Sequence, residues 1–150
     1  MKTVDQLTEE FRANGLKVTP QRQSIFRALS GSTVHPTAES VYAAVSVEMP
    51  TISLRTVYQT LNDLAAMGEL AALDIGTGST RFDPNLDPHH HLVCVDCGHI
   101  VDVHVDAPEL ASPAGFEVTS TEIIFRGRCD TCRSRPAPST QHQGEAHAHG

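Results

Sequence analysis

Apolar residues in the first half of the chain recur three and four positions apart, the period of a helix with one buried face. Leu7 and Phe11 give residues 3–14 such a face, and Gly15 supplies a stop. Thr19 followed by Pro20 reads as an N-cap with proline at the first helical position, where a missing N–H costs nothing. Ile25, Phe26 and Leu29 form the apolar side of that second helix, and a turn follows at Gly31-Ser32-Thr33. Thr37 caps a third helix bearing Val41, Tyr42 and Val45, which Pro50 is expected to end. Ser53 caps a fourth, with Val57, Leu61 and Leu64 as its buried stripe and Gly68 as its stop. The period then changes. Leu70–Ile75 and Thr80–Phe82 read as two short strands around the hairpin turn Gly76-Thr77-Gly78-Ser79, and Ile100–Val105 also reads as a strand.

Helices followed by a small hairpin make a winged helix-turn-helix, whose recognition helix enters the DNA major groove. On the fourth helix Arg55, Gln59 and Asn62 share a face away from the apolar stripe. Arg pairs with guanine, and Gln or Asn with adenine, through two hydrogen bonds at the base edge. A polar face is also what any surface helix presents, so it is the position of this face, between short helices and a wing, that favours DNA. The Gly-rich turn lacks the Gly-Lys-Ser/Thr ending of a phosphate loop and lies between strands, which makes it a hairpin turn.

Composition narrows the classes. The chain has 150 residues and is 39% hydrophobic, enough for one domain or two small ones with a core. No apolar run is long enough to cross a bilayer, and the acids in MKTVDQLTEEF do not suit a signal peptide, so a cytoplasmic protein is expected. The formal net charge of −7 argues against binding nucleic acid by bulk charge. That charge is unevenly placed: residues 1–82 hold 7 Lys/Arg and 8 Asp/Glu, whereas residues 83–150 hold 4 and 10. Eight of the nine His and all four Cys also lie in the second part, so a near-neutral module precedes a metal-rich one.

Two pairs carry the strongest chemical signal, Cys94-Val95-Asp96-Cys97 and Cys129-Asp130-Thr131-Cys132. A two-residue gap lets both sulfurs of a pair reach one ion, and four thiolates close a structural Zn2+ shell. The 31 residues between the pairs exceed ordinary zinc-ribbon spacing, which implies a sheet between them. Disulfides and a thioredoxin-like redox motif are the alternatives; the latter needs only one such pair. A harder donor set lies nearby: His89, His90 and His91, with Asp83 six residues before His89 and Asp102 in the predicted strand. In an extended segment His89 and His91 point together and His90 points away. Imidazoles with carboxylates suit Fe2+, Mn2+ or Zn2+. Solvent or core histidines are the alternative. Spacing alone does not bring His35 or Asp102 into the set. Residues 134–150, rich in Pro, Ser, His, Gly and Ala, lack apolar periodicity and read as a disordered tail.

Taken together, Thr19-Pro20-Gln21-Arg22, His35-Pro36-Thr37-Ala38, Thr56-Val57-Tyr58 with Leu61, His89-His90-His91-Leu92-Val93-Cys94, Cys97-Gly98 and Cys129 with Cys132 resemble the ferric uptake regulator family over about residues 3–133. Within it the chain is most similar to the peroxide-sensing repressors. The resemblance implies an α+β protein: a winged-helix DNA-binding domain over 1–82, a hinge over 83–88, and a small α/β dimerisation domain with structural zinc over 89–133. It implies a regulatory Fe2+ or Mn2+ held by His35, Asp83, His89, His91 and Asp102, and it adds Tyr58 to the DNA-contacting residues. Asp83 is informative, because iron-responsive relatives tend to carry Glu there. The implied function is a homodimeric, metal-dependent repressor on double-stranded DNA, an A/T-rich inverted repeat, which senses hydrogen peroxide when a bound metal promotes oxidation of His35 or His89. An iron- or zinc-responsive repressor of the same fold is the alternative. A metallohydrolase using His89, His91 and Asp102 lacks a nucleophile motif, so no enzyme and no catalytic residues are expected; a zinc-stabilised interaction module would leave the Arg55 face unused. The segment 106–115, with two Pro, is shorter than the dimerisation helix of many relatives, and the His-containing tail lies outside the family pattern.

Overall fold

The structure, a computed structural model, describes residues 1–30, 32, 34–76, 78–110 and 115–135. The tail expected to be disordered therefore lies outside the described residues from 136 on, as do parts of the turns at 31–33 and 76–79.

Four helices form where capping residues and apolar stripes coincide. Helix α1 (Val4–Ala13) opens on a capping box between Thr3 and Gln6. Helix α2 (Pro20–Leu29) starts with Thr19 accepting from the Arg22 N–H, and α3 (Ala38–Val45) with Thr37 accepting from Ser40. Helix α4 (Leu54–Ala66) is capped by Ser53, and Gly68 follows it in the left-handed region at φ 75°. Helix α3 ends at Val45, five residues before the proline expected to stop it. The Glu48 and Met49 N–H groups both return to the Val45 carbonyl, so a tight turn terminates the helix first. Leu7, Phe11, Ile25, Phe26, Val41, Val57, Leu61 and Leu64 meet in one core, with Phe11 and Phe26 packed edge to face at 4.8 Å.

Strands β1 (Ala71–Leu73) and β2 (Arg81–Asp83) pair antiparallel as the wing. Strand β1 is shorter than the run Leu70–Ile75 read from the sequence, because Ile75 leaves the hairpin, whereas β2 keeps the expected three residues and starts one position later. The Ile75 side chain packs elsewhere, and its carbonyl accepts from Arg126 at 2.7 Å. A second sheet has the order β4-β3-β5, from β3 (His90–Cys94), β4 (Ile100–Val103) and β5 (Ile124–Gly127), with β3 antiparallel to β4 and parallel to β5. The one-turn helix α5 (Asp130–Arg133) was not expected from the sequence. Between β4 and β5 the described residues form neither helix nor strand, in keeping with the shortened, proline-bearing segment.

The two modules meet directly. Leu73 and Ile75 from the wing share a small buried cluster with Val93 and Ile100 from the second sheet. The Phe82 N–H donates to the Pro36 carbonyl at 2.9 Å. That bond ties β2 to the loop before α3, and so sets Asp83 beside His35.

Candidate functional site

The four cysteines converge because β3 and β5 run parallel with Cys94 opposite Gly127. Cys94 ends β3, Cys97 follows in a turn completed by Gly98 at φ 72°, and Cys129 and Cys132 lie at the cap and inside α5. All four Sγ atoms lie within 4.8 Å of one another, and all four thiols are free. The Cys97–Cys129 separation of 3.8 Å matches the edge, about 3.8 Å, of a tetrahedron with zinc–sulfur arms of about 2.3 Å. N–H groups from Cys129 and Cys97 stabilise the Cys94 thiolate and lower its pKa to about 6. Hydrogen bonding with Cys129, then burial, pushes Cys132 up to about 12. One sulfur already favours the thiolate while its neighbour resists a second negative charge, so a divalent cation is what lets all four ionise together. Arg128 staples the knuckles by pairing with Asp96 and donating to the Cys132 carbonyl at 2.9 Å.

The second cluster draws on five places in the chain. His35 comes from the loop before α3, Asp83 from the end of β2, His89 from the residue before β3, His91 from β3, and Asp102 from β4 directly opposite His91. Asp83 Oδ2 lies 3.2, 2.7 and 3.1 Å from the Nε2 atoms of His35, His89 and His91. Asp102 Oδ1 lies 2.7 Å from His35 Nε2 and 3.4 Å from His89 Nε2. The five ligand atoms all fall within 4.8 Å of one another. His90 faces the other way, as alternation requires, and its Nδ1 accepts from the Ile123 N–H at 3.1 Å.

The charges of this cluster are strongly coupled. Burial alone would push the Asp83 carboxyl up, but hydrogen bonds from His35, the Asn85 backbone, His91 and His89 outweigh it and hold Asp83 well below the usual carboxylate range. The bond to Asp83 raises His35 against the opposing effect of burial. For His89 burial is also the largest influence, yet the Asp87 carbonyl and Asp83 carry its pKa upward. The Nε2 atoms of His89 and His91 stand 3.0 Å apart on one carboxylate oxygen. Three imidazoles and two carboxylates converging in this way fit a divalent cation of intermediate hardness.

On α4, Arg55, Tyr58, Gln59 and Asn62 are all exposed and lie opposite buried Val57, Leu61 and Leu64. Tyr58 also donates to Glu39 on α3 at 2.6 Å. These four side chains thus occupy one exposed face of the helix, with Tyr58 tied to α3.

The profile of the ferric uptake regulator family matches residues 13–126. This chain belongs to the ferric uptake regulator family. Its members are transcriptional regulators and not enzymes. The peroxide-responsive repressor PerR of Staphylococcus saprophyticus is 35% identical over 144 residues, covering 90% of this chain and 97% of that protein. Among solved structures, the ferric uptake regulator of Helicobacter pylori, described as having three functional metal-binding sites, superposes with a TM-score of 0.72 at 20% identity and covers 91% of this chain and all (100%) of that one. A PerR from Streptococcus pyogenes, described in terms of peroxide sensing and gene regulation, gives a TM-score of 0.52 at 26% identity, over 88% of this chain and 94% of that one. These likenesses support the α+β fold with a winged helix and favour a peroxide-responsive repressor over one answering only to iron or zinc.

Several residues that shape this family member's site escaped the sequence reading. Glu122 Oε1 lies 3.0 Å from His91 Nδ1, on the side of the ring away from the cluster. Only the β3–β5 register, which sets His91 opposite Ile124, brings it there. Arg81 donates to the His35 carbonyl at 3.1 Å and reaches the Gly98 carbonyl at 3.5 Å, linking the first module to the cysteine knuckle. Asn85 is bonded to both carboxylates. Its Pro-Asn-Leu-Asp setting signals a turn, but a turn residue gives no hint of its partners.

Proposed function

We propose that this chain is a dimeric, metal-dependent repressor that binds double-stranded DNA and releases it when hydrogen peroxide oxidises histidines of its regulatory site. The carrying observation is that His35, Asp83, His89, His91 and Asp102, drawn from both modules, bring five ligand atoms within 4.8 Å. In this reading Cys94, Cys97, Cys129 and Cys132 hold structural Zn2+, and the His/Asp cluster holds Fe2+ or Mn2+. The domain limits follow: a DNA-binding module over 1–82, a hinge over 83–88 and a dimerisation module over 89–133.

Bound Fe2+ would supply the electrons that activate hydrogen peroxide, whereas Mn2+ would hold the same ligands without that reactivity. His35 joins the first module to the second through the cluster, so a full ligand set favours one angle between them. In a dimer that angle sets the separation of two recognition helices, and palindromic half-sites accept helices about 34 Å apart. Ligand binding and DNA binding then reinforce one another reciprocally. His35 and His89 are the side chains expected to gain oxygen; an oxidised ring donates poorly, the angle relaxes and DNA is released. Arg55, Tyr58, Gln59 and Asn62 form the reading face. Exposed Leu92, Val101 and Phe125, in register across β3, β4 and β5, supply an apolar sheet face that suits a second copy. No helix among the described residues is long and apolar enough to cross a membrane, which accords with a cytoplasmic regulator.

The test is a gel shift on an A/T-rich inverted repeat with the Mn2+ and Fe2+ forms, before and after peroxide, alongside peptide mass spectrometry. Both forms should bind, and only the Fe2+ form should lose binding as peptides containing His35 or His89 gain one oxygen. Binding without metal, or release of DNA with both peptides unmodified, would overturn the reading.

A further inference from the structure

The two carboxylates of the His/Asp cluster each present one oxygen to it and commit the other elsewhere. Asp83 turns Oδ2 toward three imidazoles, while its Oδ1 accepts from the Asn85 backbone N–H at 2.9 Å. Asp102 turns Oδ1 toward His35, while its Oδ2 accepts from Asn85 Nδ2 at 3.2 Å. One residue therefore occupies the second oxygen of both acids. The orientation of its amide is fixed as well, because Asn85 Oδ1 accepts from the Asp87 N–H at 3.1 Å. A flipped amide would face Asp102 with an acceptor and would lose the Asp87 bond. Pro84, buried beside it, and the Asx-type turn that follows leave the side chain little freedom.

We infer that Asn85 is a positioning residue that restricts Asp83 and Asp102 to one donor oxygen each, and so keeps one coordination position of the regulatory cation open to a small oxygen ligand such as water or peroxide. The inference rests on the metal-binding reading above. Its logic is a count: three imidazole nitrogens and two single oxygens make five donors, whereas Mn2+ and Fe2+ with hard ligands commonly take six. A reactive centre needs such an open position. A carboxylate that is free to turn can offer both oxygens and fill it. Asp102 is the acid with room to do so, since its side chain is 24% exposed against 3% for Asp83. Asn85 is what opposes that rotation.

The test uses the full-length, Zn2+-loaded chain titrated with Mn2+, in the wild type and in Asn85→Ser and Asn85→Ala. Serine can still accept from the Asp87 N–H and keep the turn, but it is too short to reach Asp102; alanine loses both bonds. Two signals are read: the Mn2+ electron paramagnetic resonance line shape, and the water-proton relaxivity of bound Mn2+, which counts directly bound exchangeable water. Both variants should lose relaxivity and change the line shape, with a shift in Mn2+ affinity of about tenfold. If only Asn85→Ala differs from the wild type, Asn85 merely orders the turn, and the inference fails. If neither variant differs, it fails also. A wild-type chain that binds no Mn2+ at the His/Asp cluster refutes the metal reading itself, a failure visible before any variant is compared.

Discussion

Truncating Ile75 to alanine separates a site that forms at a joint between modules from one that either module could support alone. Ile75 is fully buried, with Leu73, Val93 and Ile100, in the small cluster that joins the wing to the second sheet. Removing a buried isoleucine side chain down to Cβ costs about 3 kcal/mol, transfer and cavity terms together. In this position most of that loss falls on docking of the modules, because the large helical core contains none of these residues. The melting midpoint should fall by roughly 6–12 °C if the whole chain unfolds as one unit of this size. The consequence for metal is bounded: ligands contributed by His35 and Asp83 on one side and Asp102 on the other bind only in the docked form, so affinity cannot fall by more than the docking energy lost. At about 3 kcal/mol that limit is roughly 150-fold. Leu64→Ala serves as the control, since it opens a comparable cavity in the helical core without touching the joint. Mn2+ titrations at a temperature where all three proteins are folded should show weakened binding for Ile75→Ala and unchanged binding for Leu64→Ala. Equal affinities for Ile75→Ala and the wild type, under conditions where amide exchange shows the variant's joint to be open, would refute the claim that docking builds the site.

Other outcomes follow from individual contacts. In the protein without regulatory metal, His35 and His89 are raised; their contribution to stability is fully present below the unfolded value, about 6.5, and is lost as pH climbs through the raised folded values. Mn2+ must displace those protons, so its affinity should rise over the same range, and midpoints with and without Mn2+ should diverge with increasing pH; parallel curves would contradict the coupling. Asp83 is lowered, so its contribution persists in mild acid and disappears only at very low pH, visible as a late acid transition that Asp83→Asn lacks. Gln59→Ala, on the exposed face of α4, should relax preference at one base pair by about 1–3 kcal/mol while leaving the melting point nearly unchanged; a uniform loss across operator variants would place Gln59 on phosphate instead. Cys97→Ser should abolish stoichiometric Zn2+ and disorder β3–β5 while the helical signal of α1–α4 survives, as followed by metal analysis and circular dichroism.

Much of the first module was legible because its signals are local. Thr19, Thr37 and Ser53 cap the helices that the sequence assigned to them, and a cap acts within three residues. The end of α3 is local too, but there a turn bonded to Val45 intervenes before Pro50, and one strong breaker conceals a weaker one nearer the helix. Strand β1 falls short of its apolar run for a different reason: Ile75 looks like a strand residue, yet its burial comes from Val93 and Ile100 across the joint.

The same division runs through the metal centres. Two-residue spacing declares each cysteine pair, and alternation declares that His89 and His91 share a side, because both relations are fixed by a few bonds of backbone. The sequence by itself thus determined the helices, the ligand chemistry and the presence of a metal-rich second module. The tertiary structure decided which distant residues complete each cluster. His35 meets Asp83 through the Phe82–Pro36 hydrogen bond, Asp102 meets His91 through antiparallel register, and Glu122 and Asn85 stand behind the ligands by virtue of the β3–β5 register and a turn. Register and docking are set by burial summed over many residues, and no local stretch of sequence encodes that sum.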